Sequence, residues 1–187
     1  MNLTSCQTRK QTMHSHTTLL WLGDDPAHAR ASAWPMRWAR SSGAREVLQH
    51  ASPMPLRGDW LAQLESAVRG SPRCRLIAQG LGCALVAAWA AYSPSYARVA
   101  STLMLGPFCP DAAHPSGRYR TWRAVTPMKL PFATWVIPEH SPRNHLQEQA
   151  QWAACWGAHW LGPMDPAGQR EAMQAWLQEP AAQHAFL

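Results

Sequence analysis

The feature that most constrains this chain is a short apolar run, Leu76-Ile77-Ala78, that passes through Gln79-Gly80-Leu81-Gly82 into an alanine-rich stretch reaching Tyr92. A continuous apolar run of this length is a strand buried on both faces, and the small-residue run beyond the glycines has the length and composition of a packed helix. Cys74 to Tyr92 is the most apolar window of the chain, but Arg75, Gln79 and two glycines interrupt it. A membrane span needs about 20 uninterrupted apolar residues, so strand, turn and helix is the reading that fits.

The same alternation runs through the rest of the chain. Thr18-Leu19-Leu20-Trp21-Leu22 is a second buried strand, halted by Gly23-Asp24-Asp25-Pro26. Trp34 to Arg45 has helical spacing and stops at Ser41-Ser42-Gly43; Glu46 to His50 reads as a short strand. Asp59 is placed to cap a helix whose apolar stripe is Trp60, Leu61, Leu64 and Val68. Arg98 to Leu105 and Pro131 to Pro138 are further strands, with a long aperiodic loop over 109–128 between them. Helices follow over His145–Trp156 and from about Gln169 to Leu177. Continuous strands alternating with helices specify an α/β fold, a mostly parallel sheet of five to six strands with helices on both faces. The 187 residues suffice for one domain, expected over 18–178, with a flexible extension over 1–17 and a tail over 179–187.

Composition narrows the function. The formal net charge is +6, but the basic residues are scattered singly without an aromatic ladder, so neither nucleic acid nor a membrane is an expected partner. Five cysteines, with no two in a CxxC pair, suggest neither a metal site nor a disulfide framework, and no cofactor is implied. Three of the five sit in apolar runs and read as small buried hydrophobes. The polar segment Met1 to Thr17 lacks the apolar core of a secretory signal, so the expected location is cytoplasmic.

A strand that enters a helix through a tight glycine-flanked turn is how a nucleophile elbow reads. Taken in order with its neighbours, the chain resembles the small α/β-hydrolase-fold serine hydrolases of the retinoblastoma-binding protein nine and YdeN type. The residues that carry the resemblance are Trp34-Pro35-Met36-Arg37-Trp38, Trp60-Leu61-Ala62-Gln63-Leu64-Glu65, Leu81-Gly82-Cys83, Leu130-Pro131-Phe132 and Trp156-Gly157-Ala158. They extend over roughly 19–176. The resemblance implies a Ser–Asp–His triad, and carried over position by position it puts Gly80 at the nucleophile, Ser141 at the aspartate and Gln169 at the histidine. Glycine has no side chain with which to form an acyl-enzyme, serine cannot stabilise an imidazolium, and glutamine cannot accept a proton near neutral pH.

The expectation is therefore a pseudo-hydrolase, without catalytic residues, that binds a small carbonyl- or carboxylate-bearing ligand or a protein partner. The remaining ligand-binding candidates are the Leu81 N–H and a second donor at Gly23 or Asp24, the equivalent of an oxyanion hole. The alternatives are an active esterase or peptidase with a rerouted site, or a repurposed non-hydrolytic enzyme. Cys83, Glu139, His28 and His140 are the groups available for substitute chemistry; each has a plainer reading, Cys83 as packing, the two histidines as surface residues and Glu139 as a solvated turn charge. Trp122, Trp156 and Trp160 read as core or as the lining of an apolar cleft.

Overall fold

Side chains alternate across each strand of the computed structural model, and each side meets its own helices. The structure describes residues 17–25, 33–48, 55–110, 117–122, 128–139 and 145–180. Its elements run β1 (Thr18–Leu22), α1 (Ala33–Ser41), β2 (Arg45–Glu46), α2 (Arg57–Arg69), β3 (Cys74–Gln79), α3 (Leu81–Ala90), a 3-10 turn (Pro94–Arg98), β4 (Val99–Leu105), β5 (Ala133–Ile137), α4 (Leu146–Trp156), β6 (His159–Trp160) and α5 (Pro166–Gln178). The six strands are parallel in the order β2-β1-β3-β4-β5-β6.

On one face Leu20, Leu22, Leu76, Ala78, Met104 and Val136 pack with α2, α3 and α4 through Trp60, Leu64, Leu85, Trp89 and Trp156. On the other, Trp21, Ile77, Leu103 and Ile137 pack under α1 and α5 through Ala39, Met173 and Trp176. Every residue of α3 is buried, which explains why its sequence is alanine-rich and shows little amphipathic pattern.

Arg75 breaks the apolar run of β3, yet it is buried. Its guanidinium donates to Ser101 Oγ at 2.8 Å, to the Leu177 carbonyl at 3.0 Å and to the Trp176 carbonyl. It also lies over the Trp176 ring at 4.0 Å. One charged side chain thus bonds carbonyls in the last turn of α5 and pins that helix to the sheet.

Several boundaries differ from the sequence expectation. α2 begins at Arg57 after Leu56 with no side-chain cap, so Asp59 lies in the first turn rather than capping it; there its carboxylate still faces the positive end of the helix dipole. β2 is two residues long, and the edge strand β6 was not foreseen because His159-Trp160 is too short to show a pattern. α5 starts at Pro166, with Asp165 as its cap, so Gln169 is in the helix rather than in a turn before it. The expected extension over 1–17, apart from Thr17, and residues 181–187 of the expected tail lie outside the described residues. Among the described residues no helix is long and apolar enough to cross a membrane.

Candidate functional site

The strand order places a site before any side chain is considered. β2 lies to one side of β1 and β3 to the other, so the ends of β1 and β3 form a topological switch point, where parallel α/β sheets bind ligands. β1 and β3 are in register up to Leu22 opposite Ala78, which sets Gly23–Asp25 beside Gln79 and Gly80.

Gly80 is the turn between β3 and α3. Its φ of 54° and ψ of −116° lie where side chains are strained. Its N–H donates to the Leu105 carbonyl at 2.9 Å, and its carbonyl accepts from Phe108 N–H at 3.1 Å. The chain can turn into α3 so close to β1 because Gly82 lacks a Cβ; one added there would stand 2.6 Å from the Leu22 carbonyl oxygen. This contact brings the first turn of α3 against the end of β1.

The space above Gly80 is filled by Asp24. A Cβ on Gly80 would overlap the Asp24 carboxyl group, with Oδ2 2.7 Å away. Asp24 Oδ1 accepts the Leu81 N–H at 2.9 Å and the Asp25 N–H at 2.8 Å. One N–H comes from the residue after the turn and the other from the loop after β1, the two sources that supply an oxyanion hole in this kind of elbow. Leu81 and the Gly23–Asp24 loop were the expected ligand donors; in the structure the Leu81 N–H is bonded to Asp24, whose side chain is an acceptor and takes the Asp25 N–H as well.

Asp25 is fully buried. Its carboxylate receives Arg118 Nε and Arg118 Nη2, each at 2.5 Å, and the Tyr119 hydroxyl at 3.1 Å. These bonds tie the described part of the 109–128 loop to the end of β1. Phe108 meets the Tyr119 ring edge-on at 5.4 Å. Trp122 packs against Trp60 and donates its indole N–H to the Pro55 carbonyl at 2.9 Å. Trp122 and Trp156 are core residues rather than a cleft lining.

On the far side of Gly80, Gln79 Nε2 donates to Glu139 Oε1 at 3.1 Å and Oε2 at 3.3 Å. The backbone of Glu139 is clasped by buried Gln149 of α4, whose amide accepts Glu139 N–H at 3.0 Å and donates to the Glu139 carbonyl at 2.7 Å. Glu139 is therefore a half-buried, bonded carboxylate and not the solvated turn charge its position suggested. Gln169 reaches the same sheet edge, with Nε2 3.5 Å from the Pro138 carbonyl.

Cys83 is buried one turn into α3, its thiol donating to the Ala78 carbonyl at 3.4 Å and to that of Leu105 at 3.7 Å. Burial first, then the nearby Cys109, Asp24 and Glu139, push its pKa well above the ordinary value of 9.0. It is a neutral packing thiol. The structure thus gathers Gly80, Leu81, Asp24, Glu139 and Gln169 along the strands' C-terminal edge; Ser141, His28 and His140 lie outside the described residues. The acceptor role of Asp24 and the Asp25–Arg118 clamp were not foreseen. The one trace in the sequence was two carboxylates placed directly after β1 in a chain with glycine at the elbow.

The structure is similar to that of a protein described as a YdeN-like hydrolase from Pectobacterium atrosepticum, at 16% identity and TM-score 0.61, covering 88% of this chain and 93% of that one. The ydeN product of Bacillus subtilis gives TM-score 0.63 at 10% identity, covering 88% of this chain and 100% of the other. An α/β hydrolase from a lagoon-sediment metagenome gives 0.59 at 11%, with 87% and 90% covered. At these identities the likeness is one of fold. No curated protein matches the chain significantly. The profile of the family described as serine hydrolase matches residues 21–173. That stretch runs from β1 through the elbow and most of α5, and it shows that the chain belongs to the serine hydrolase family.

Proposed function

We propose that this member of the serine hydrolase family is a pseudo-hydrolase, a binding protein that has kept the elbow and given up acyl transfer there. The observation that carries the reading is the Asp24 carboxylate, which stands in the volume a residue-80 side chain would need and holds both N–H groups on one oxygen. A nucleophile and a vacant oxyanion hole are both required for acyl-enzyme chemistry. Glycine at 80 supplies no nucleophile, and buried Cys83 is no thiolate. A small carbonyl- or carboxylate-bearing ligand at this elbow has to displace Asp24 from Leu81 and Asp25. A protein partner docking over the sheet edge does not.

The test is a fluorophosphonate probe, with the intact protein read by mass spectrometry. The expected result is no adduct after hours at excess probe. A covalent adduct on any serine overturns the proposal, and the labelled position names the rerouted nucleophile.

A further inference from the structure

A second concave surface lies at the opposite end of α3 from the elbow. Leu81 and Trp89 are separated by about 12 Å along the helix axis. Between α2, the end of α3 and the 3-10 turn runs a groove of about 370 Å³, lined by Leu61, Ala88, Trp89, Tyr92, Pro94 and Glu65, among others. Its volume is at the lower end of the range for small-molecule sites. Tyr92 is 82% exposed at its rim, an aromatic ring that the fold itself does not need to bury.

Glu65 is the charged group in that lining. Its Oε2 accepts Trp89 Nε1–H at 2.7 Å and Ser93 Oγ–H at 2.5 Å, and its Oε1 accepts Ser95 Oγ–H at 2.7 Å. All three donors are neutral, and no ion pair to Glu65 is present among the described residues; Arg69 acts on it only through its field. Burial alone would raise the carboxyl pKa, but the bonds from Ser93, Ser95 and Trp89, helped by Arg69, outweigh it and hold the pKa below the ordinary value. The groove therefore presents a fixed anion with apolar and aromatic walls and no cation of its own.

We propose that this groove is a binding site for a small organic cation with an apolar body, an alkyl- or arylalkyl-ammonium. Charge complementarity selects the occupant. The ammonium sits against the remaining lone pair of Glu65 Oε1, and its body lies on Leu61, Ala88 and Pro94. The Tyr92 ring, exposed at the rim, offers a cation–π face, which favours a cation over its neutral isostere. This site is independent of the elbow, and neither reading depends on the other.

The experiment titrates ¹⁵N-labelled protein with 2-phenylethylammonium, following the Trp89 indole N–H and the backbone of 88–95, with 2-phenylethanol and 3-phenylpropionate as neutral and anionic controls. The expected result is saturable binding of the ammonium at least tenfold tighter than either control, abolished by Glu65→Gln. Tyr92→Ala, a change at an exposed side chain, weakens it severalfold at unchanged thermal stability. If Glu65→Gln does not fold, the control ligands and Tyr92→Ala decide. No saturable shift, equal affinity for the three compounds, or undiminished binding in a folded Glu65→Gln variant overturns the proposal.

Discussion

Replacing Gly80 by alanine, with and without Asp24, measures how far the two residues exclude one another. Two costs follow from the geometry. An L-residue at φ 54°, ψ −116° carries backbone strain of about 1–3 kcal/mol. The new Cβ overlaps the Asp24 carboxyl group, so Asp24 must leave the Leu81 and Asp25 N–H groups, bonds of 2.9 and 2.8 Å to an ionised acceptor. Each such bond is worth about 1.5–3 kcal/mol, and water regained by the freed groups brings the pair to about 2–3 kcal/mol. Gly80→Ala alone is expected to cost about 3–6 kcal/mol. In an Asp24→Ala background only the strain remains, about 1–3 kcal/mol, leaving a coupling of about 2–3 kcal/mol between the sites. Urea denaturation of the four proteins, with the slope m held in common, reads this directly. In a chain of this size the coupling also corresponds to about 4–12 °C in Tm. A coupling below about 0.5 kcal/mol would refute the claim that Asp24 occupies the residue-80 volume.

Arg118→Leu leaves buried Asp25 with the Tyr119 hydroxyl but without its guanidinium. Because Arg118 is itself 23% exposed, the expected loss is about 2–4 kcal/mol in urea denaturation, short of a fully orphaned charge. Desolvation pushes the Cys74 pKa from 9.0 to about 12 and Cys83 upward as well. At pH 8 an aromatic disulfide reagent should therefore label exposed Cys155 at once, and Cys74 and Cys83 only on unfolding. A raised thiol pKa gives stability that is complete below 9.0 and declines as pH climbs towards 12, so a Cys74→Ala variant should show a flatter alkaline profile. The depressed carboxyl pKa of Glu65 works in the opposite direction. Its contribution is present above the ordinary value of 4.5 and disappears as pH falls through the lower folded value, so wild type and Glu65→Gln should converge in stability in acid and separate above about pH 5.

Much of the architecture was legible because buried parallel strands leave a plain mark: runs such as Leu20-Trp21-Leu22 and Leu103-Met104-Leu105 are apolar on both faces. The elbow was legible for the same reason, as β3 and α3 are buried from Cys74 to Ala90. Short edges were not: two-residue strands such as β2 and β6 are defined by what they pair with, not by composition. α5 starts three residues before the expected Gln169: Pro166 and Gly168 read as a turn, although proline suits the first helical position and Asp165 caps Gly168 N–H at 2.8 Å. The occupant of the elbow was least visible of all. The contact between Asp24 and Leu81 spans 57 residues, and it exists only because β1 and β3 are adjacent and Gly82 admits a close approach.

That contact also orders the routes by which such a chain can change. With Asp24 in place, any single substitution that gives residue 80 a side chain passes through a strained, overlapping intermediate. Loss of the Asp24 carboxylate first leaves Gly80 tolerated and the two N–H groups open. The less costly route to a serine at the elbow therefore changes Asp24 before Gly80. On the proposed reading, the Asp24 carboxylate then opposes a serine at residue 80 more firmly than the missing hydroxyl does alone.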